Sequence, residues 1–336
     1  MGMKIAFLST RPSKPSYRFR IEQMVPYFTA RRHRCDTFFL PSNAWGRLLL
    51  YRKLAPYDAV VLQKRLLSRV ELFVLRNRVQ RLIYDVDDAV MYTSSGDDHS
   101  RRRGRFSAMM RAADLVVCGN KFLAEEAARD TDRILVVPTC INTDAYRPGL
   151  RVERPQTLTV GWTGSRSTNA YLNDIFPALA QLHGPVQVKI ISDTAEGFDF
   201  SRLGRVPHVF VPWNPKTEIA ETASFDVGLM PLPDNRWTQG KCGFKALQYL
   251  SLGIPAVCSP VGVNRDIIHD GVDGFFAERL PDWFPAVARL LKDSFLRETI
   301  GRAGRRRVEK AFSLATHGPR LVQAIEQAGG PLRKTA

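Results

Sequence analysis

The chain has 336 residues, 44% of them hydrophobic and 24% charged, an ordinary globular balance with length for two domains. With 49 Lys and Arg against 33 Asp and Glu, the net charge of +16 calls for a negatively charged partner: nucleic acid, an anionic membrane face or a phosphorylated small substrate. Five scattered cysteines without a C-x-x-C, and six histidines without H-x-H or H-E-x-x-H spacing, argue against a disulfide framework or a protein-built metal site.

In chain order, the predicted strands of the first half are 4–10, 35–41, 58–64, 81–86, 115–119 and 134–139, with helices at 18–31, 66–79, 100–112 and 120–129. The leading segment MGMKIAFLSTRP has too short an apolar run for a secretory signal. No apolar run approaches the ~18 residues of a spanning helix. Residues 141–156, with two prolines, a glycine and no apolar periodicity, are expected to be a linker. The pattern then restarts with strands at 158–164, 186–192, 209–213, 226–233 and 254–260 and helices at 169–183, 216–223, 241–252 and 282–292. A basic helical end (295–328) and a Gly/Pro/Lys tail expected to be disordered follow.

Strands alternating with helices give an α/β fold with two consecutive Rossmann-like parallel sheets. The expected division is 1–142, a linker 143–156, 157–312, and a C-terminal helix and tail 313–336 that crosses back. Ligands of such sheets sit beyond the carboxyl ends of the strands, so the site is expected in a cleft faced by both.

The stretch QGKCGFKALQYLSLGIPAVCSPVG (239–262) carries the most chemistry. On a helix from 241, Lys241, Lys245 and Gln248 share one face. Gly240 and Gly243 would let an anion approach the helix N-terminus, where the dipole favours it. Two ammonium groups there suit a diphosphate; a solvated basic face is the plain alternative.

This run resembles the donor-nucleotide motif of family-4 glycosyltransferases with the GT-B fold, as do RFRIEQMVPYF, IYDVDDAV, ADLVVCGNKFLAE, VGWTGSRST and DGVDGFF. Most members carry two glutamates separated by seven residues. With Gly243 on the motif glycine, Gly240 and Gln248 take the two glutamate positions. The resemblance implies that Gln248 holds the ribose hydroxyls, that Gly240 leaves one side chain missing, and that Lys241 and Lys245 compensate by bearing on the leaving diphosphate. It further implies donor contacts from Gly161, Gly164, Ser165 and Arg166 after the first strand of the second half. Phe244 belongs to the same donor set, as do Gly262, Val263 and Asn264 in a second glycine loop.

In the first half, YDVDDAV (84–90) has the D-x-D of metal-dependent transferases of the other main fold, or of a helix-capping pair. In the GT-B frame Asp87 lies toward the transferred sugar and Asp88 beside it toward the acceptor, with Asp85 capping the strand end. Arg18 and Arg20, in a cationic loop after the first strand, and Asn120 are the other expected acceptor contacts. Surface charge accounts for that loop equally.

The expected activity is a retaining transfer of a sugar from a UDP- or GDP-sugar to a hydroxyl of a glycan, lipid-linked or cell-envelope acceptor, without metal or other cofactor. The alternative is a nucleotide-sugar-binding protein of the same fold without transferase activity. Basic-apolar stretches at 42–56 and 100–114 fit either contact with an anionic membrane surface or ordinary core helices. The expected location is cytoplasmic and peripheral to the cell membrane, with no nucleic-acid partner.

Overall fold

The computed structural model describes residues 2–150 and 156–328, and the chain forms two compact units. Unit 1 comprises residues 1–140, 235–242 and 314–336; unit 2 comprises 141–234 and 243–313. The tail 329–336 and residues 151–155 of the expected linker lie outside the described residues. Of the rest of that linker, Ile141 bridges Ser313 and Tyr146 is buried.

Unit 1 is built on six parallel strands: β1 (Lys4–Ser9), β2 (Arg34–Phe39), β3 (Ala59–Gln63), β4 (Leu82–Val86), β5 (Leu115–Cys118) and β6 (Ile134–Val136), in the order β2-β1-β3-β4-β5-β6. Each was predicted within a few residues, because strands covered on both faces read as short apolar runs. Ala6 and Leu8 of β1 join one core, with Val60, Leu62, Leu82 and Tyr84. Ile5 and Phe7 join the other, with Ala59, Val61 and Ile83. That second face is completed by Leu314, Leu321, Val322 and Ile325 of the helix Leu314–Gln327, so the end of the chain does return to the first sheet.

The predicted helix 18–31 is broken into Pro15–Arg20, a tight turn Glu22–Met24 and Val25–Ala30, because Ile21 leaves helical geometry and Pro26 lacks the amide to continue. The break aims Arg20 inward. Its guanidinium, 2% exposed, pairs with Asp85, with Nε 3.2 Å from Oδ2, and Nη1 donates to the Val137 carbonyl at 2.7 Å.

Unit 2 repeats the plan with β7 (Leu158–Thr163), β8 (Val186–Ser192), β9 (His208–Pro212), β10 (Val227–Met230), β11 (Ala256–Cys258) and β12 (Phe275–Phe276), all parallel, in the order β12-β11-β10-β7-β8-β9. The two-residue β12 is too short for a sequence signal. The predicted helix 169–183 is found as Arg166–Asn173 and Phe176–Leu179, interrupted ahead of Pro177. Each sheet has a switch point where chain winding reverses: between β1 and β3 in unit 1, and between β7 and β10 in unit 2. Ligands of open α/β sheets bind at such points.

Arg20→Met should strand the buried Asp85 carboxylate and lower unfolding free energy by about 3 kcal/mol at neutral pH, measurable by urea denaturation. An unchanged midpoint would show that the pair carries no structural load.

Candidate functional site

Unit 2 gathers its candidate residues at its switch point. Tyr249, fully buried in the helix Phe244–Ser251, accepts from the Thr163 amide at 3.0 Å and donates to the Leu229 carbonyl at 3.2 Å, tying the ends of β7 and β10 together. Burial pushes its phenol pKa upward, which keeps it a neutral donor. Gly161 and Gly164 belong to the same joint, where an added Cβ would lie 2.1 Å from the Phe225 ring and 2.0 Å from Trp162. The glycines therefore admit aromatic rings from within the unit.

The helix begins at Phe244, not 241. Gly243 precedes it at φ 65°, in the left-handed region, where a Cβ would also strike Ile267 at 2.3 Å. The expectation that Lys241, Lys245 and Gln248 share one helical face is thereby corrected: Lys241 lies ahead of the helix and belongs to unit 1. Lys245 remains in the first turn, its ammonium 5.3 Å over the Trp162 ring. Gln248 points inward, 6% exposed, and donates to the Tyr146 hydroxyl at 3.2 Å. Tyr146 in turn donates to Glu218 at 2.7 Å, and Trp213 Nε1 donates to the other Glu218 oxygen at 2.8 Å. Sequence reading missed Glu218, since nothing in its neighbourhood marks it as a buried acid.

Around this joint, Ser165 opens the helix Arg166–Asn173, with its hydroxyl 3.2 Å from that of Ser167. The Arg166 amide donates to Asp193 at 2.7 Å, and its exposed guanidinium pairs with Glu196 at 2.6 Å. Gly262, at φ 52°, and Val263 lead into the short helix Asn264–Ile267. Asn264 is fully buried; Nδ2 donates to the Ser259 carbonyl at 2.9 Å, while Oδ1 has no hydrogen-bond partner among the described residues.

Unit 1 holds a separate charged cluster at the carboxyl ends of β3 and β4. Lys64 follows β3 at φ 59°, a strained backbone for a lysine, and its ammonium pairs with Asp88 and lies 3.5 Å from Asp87. Lys241 Nζ lies 3.4 Å from the other Asp88 oxygen and 4.6 Å from the centroid of the Trp237 ring. Burial alone would raise the Asp88 pKa, but Lys64 and then Lys241 outweigh it and hold the carboxyl below its ordinary value. The same two acids outweigh burial at Lys64 and raise its pKa. Asp87 is 4% exposed, and its Oδ1, 3.5 Å from the Lys64 ammonium, has no hydrogen-bond partner among the described residues.

The remaining expected acceptor contacts are bonded within the fold. Asn120 is buried, caps the helix Lys121–Ala128 through the Leu123 amide, and donates to the carbonyls of Gln239 and Lys241 at 3.2 and 3.0 Å. Arg18 packs 5.0 Å over the Phe19 ring. Arg20 is taken up by Asp85, which does not cap the strand end as expected; burial raises the Asp85 pKa and Arg20 offsets this only in part. Gly240 lies against Ala89, where an added Cβ would come within 2.7 Å of the Ala89 amide nitrogen. Its lack of a side chain is thus a packing requirement.

Among the described residues, no three or more His, Cys, Asp or Glu are grouped to hold a metal ion, and no helix is long and apolar enough to cross a membrane.

Comparison with known proteins agrees with this architecture. Residues 155–293 match a family model described as glycosyl transferases group 1. A sucrose-phosphate synthase from Thermosynechococcus elongatus superposes with a TM-score of 0.76 at 16% identity, covering 97% of this chain and 98% of that one. HepE of Anabaena, in complex with UDP and glucose, gives 0.76 at 16% identity over 97% of this chain and 100% of the other. A glycosyltransferase from Rickettsia africae gives 0.78 at 13% identity over 97% and 98%. No curated protein sequence matches the chain. The fold is that of GT-B glycosyltransferases, with one Rossmann-like domain in each unit.

Asp88 should stabilise the fold while ionised, because its folded pKa lies below its unfolded value of about 3.9. That contribution is present above the unfolded value and is lost as pH falls through the lower folded one. Asp88→Asn should therefore melt below the wild type at pH 7, with the two curves converging only in strong acid. Parallel curves across the range would contradict the ion pairing. Separately, Gly240→Glu should destabilise the protein by roughly 1–3 kcal/mol through overpacking, instead of restoring the missing carboxylate. A variant as stable as the wild type would show that Ala89 yields.

Proposed function

We propose that the chain is a retaining glycosyltransferase that moves a sugar from a UDP- or GDP-sugar to a hydroxyl of a glycan, lipid-linked or cell-envelope acceptor. The observation that carries this reading is a coincidence in unit 2. The segment matching group 1 glycosyl transferases contains the sheet's switch point, with the helix Phe244–Ser251 and Lys245 packed on it. HepE, which shares the fold, is in complex with UDP and glucose in one structure and UDP-glucose in another.

In this reading unit 2 binds the donor. The first turn of Phe244–Ser251 and the Lys245 ammonium face the diphosphate and stabilise the charge that develops as the sugar–oxygen bond breaks. Gly161, Gly164, Ser165 and Arg166 form one wall of the nucleotide site, and Gly262, Val263 and Asn264 the other. Asn264 Oδ1, buried and unpartnered, is an acceptor kept for a donor group of the ligand. Gln248 meets the ribose only by exchanging its bond with Tyr146. The acceptor hydroxyl attacks from the face that the diphosphate leaves, and a diphosphate oxygen takes its proton. No metal or other cofactor is required, since lysines supply the positive charge.

Unit 1 binds the acceptor. Asp87 and Lys241 are assigned to the reacting groups, and Asp88 and Asn120 position Lys241, the first through its ammonium and the second through its backbone. Arg18 edges the acceptor region, whereas Arg20 supports β4 from within. The exposed Trp45 and Leu49 on the helix Ala44–Arg52, beside Arg52 and Lys53, support peripheral attachment to an anionic membrane on the cytoplasmic side.

Lys245→Ala should lower turnover by on the order of 10²-fold, read as nucleoside diphosphate release with mixed acceptors. Unchanged turnover would remove Lys245 from the chemistry. One observation favours a second reading, nucleotide-sugar binding without transfer: Gly240 leaves no room for the motif's first carboxylate. UDP-sugar binding by thermal shift with no diphosphate release under any acceptor would select it.

A further inference from the structure

Unit 1 contains a cavity of about 560 Å3 that shares Lys64 with the charged cluster but is otherwise lined by other residues. Thr10, just after β1, and Gln63, the last residue of β3, lie on its wall, so it sits at the switch point of the first sheet. Six of its lining residues are cationic: Lys14, Lys64, Arg65, Arg101, Arg102 and Arg105. None of the lining residues is a carboxylate.

The charges converge from three separate elements. Lys14 comes from the loop after β1, Lys64 and Arg65 from the loop after β3, and the three arginines from the helix Ser100–Ala112. Lys64 is neutralised by Asp87 and Asp88. Arg102 donates to the Tyr92 carbonyl at 2.7 Å. Lys14, Arg65, Arg101 and Arg105 have no ion-pair partner among the described residues. Arg101 and Arg105 stand one helical turn apart, on the same side of their helix.

The helix adds an energetic argument. Its first turn contains arginines and no acidic residue, the reverse of what the positive end of a helix dipole favours. Collecting like charges around a concave wall at that end is unfavourable for the empty protein and becomes favourable when an anion enters. Guanidinium groups match phosphate oxygens in pairs, and three of them on one wall suit a tetrahedral, multiply charged group better than a single carboxylate.

We propose that this cavity binds a phosphate or diphosphate group carried by the acceptor, so that the acceptor is a phosphorylated compound and not a neutral glycan. The proposal rests on the transferase reading for the word acceptor, but the anion site stands on the cavity's own lining. A lipid head group and a soluble sugar phosphate present the same chemistry.

The test uses the full chain with its donor site saturated by UDP, titrated calorimetrically with inorganic pyrophosphate. The wild type should bind, and Arg101→Gln with Arg105→Gln should weaken binding by about tenfold or more, as loss of charge-assisted hydrogen bonds does. The same double variant should keep wild-type melting temperature and UDP affinity. Arg111→Gln, at the far end of the same helix and paired with Asp130, should leave pyrophosphate binding intact. Equal weakening by Arg111→Gln and the double variant, or no pyrophosphate binding by the wild type, would overturn the site. A protein that ignores both UDP and GDP yet binds pyrophosphate through Arg101 and Arg105 would overturn the transferase reading while upholding the anion site. One that binds UDP or GDP and ignores pyrophosphate would overturn the anion site and leave the nucleotide site of unit 2 standing. Sedimentation with phosphatidylcholine vesicles only when phosphatidylglycerol is present, lost in the double variant, assigns the group to a lipid. Competition of glycerol phosphate with pyrophosphate, without vesicle binding, assigns it to a soluble acceptor.

Discussion

A parallel strand buried on both faces has no side chain to spare for chemistry along its length. β3 and β4 are covered throughout, and the alternating residues of β1 serve two different cores. Polar function is therefore pushed to the strand ends, and of the two ends only the carboxyl edge has a gap where the winding reverses. Both units obey this constraint. In unit 2 the gap is bridged by one hydroxyl, that of Tyr249; in unit 1 it widens into a cavity with cationic walls.

The same constraint explains the charges behind these edges. Asp85, Asp87 and Asp88 follow one another at the end of β4, and each has a cation assigned to it: Arg20 for the first, Lys64 for the second, Lys64 and Lys241 for the third. Buried carboxylates without such partners would take up protons and lose their charge. The lysines are restrained in return: Lys64 is held in a strained backbone conformation and Lys241 between a carboxylate and the face of Trp237. Orientation of the ammonium groups is thus built into the unliganded protein.

Apart from β12, the strands of both sheets were legible because their apolar runs are short, separated and bounded by turn residues. Helix interruptions at Ile21 and ahead of Pro177 were less legible, since apolar periodicity continues across them. The largest departure concerns 235–242. Its sequence reads as the lead into the helix that follows, yet Trp237 packs in the core of unit 1 and Asn120 fixes the backbone of Lys241 there. A contact between residues 121 positions apart leaves no local pattern. Lys64 escaped notice, and Arg101 was read only as part of the basic stretch 100–114, for a related reason: each is one basic residue among many until the fold sets them around a common space. Gly161 and Gly243 were noticed as glycines but for another purpose, because the Phe225 ring and the Ile267 side chain that exclude a Cβ come from remote segments.

The helix Leu314–Gln327 closes a core begun by β1, at the opposite end of the polypeptide. During synthesis 177 residues separate the last strand of the first sheet from this cover, on the order of ten seconds or more of elongation. For that interval the face that carries Ile5, Phe7 and Val61 has the cover of Ile21, Met24 and Phe28 but lacks that of Leu314, Leu321, Val322 and Ile325. The first sheet is therefore completed only after the last strand of the second has been made.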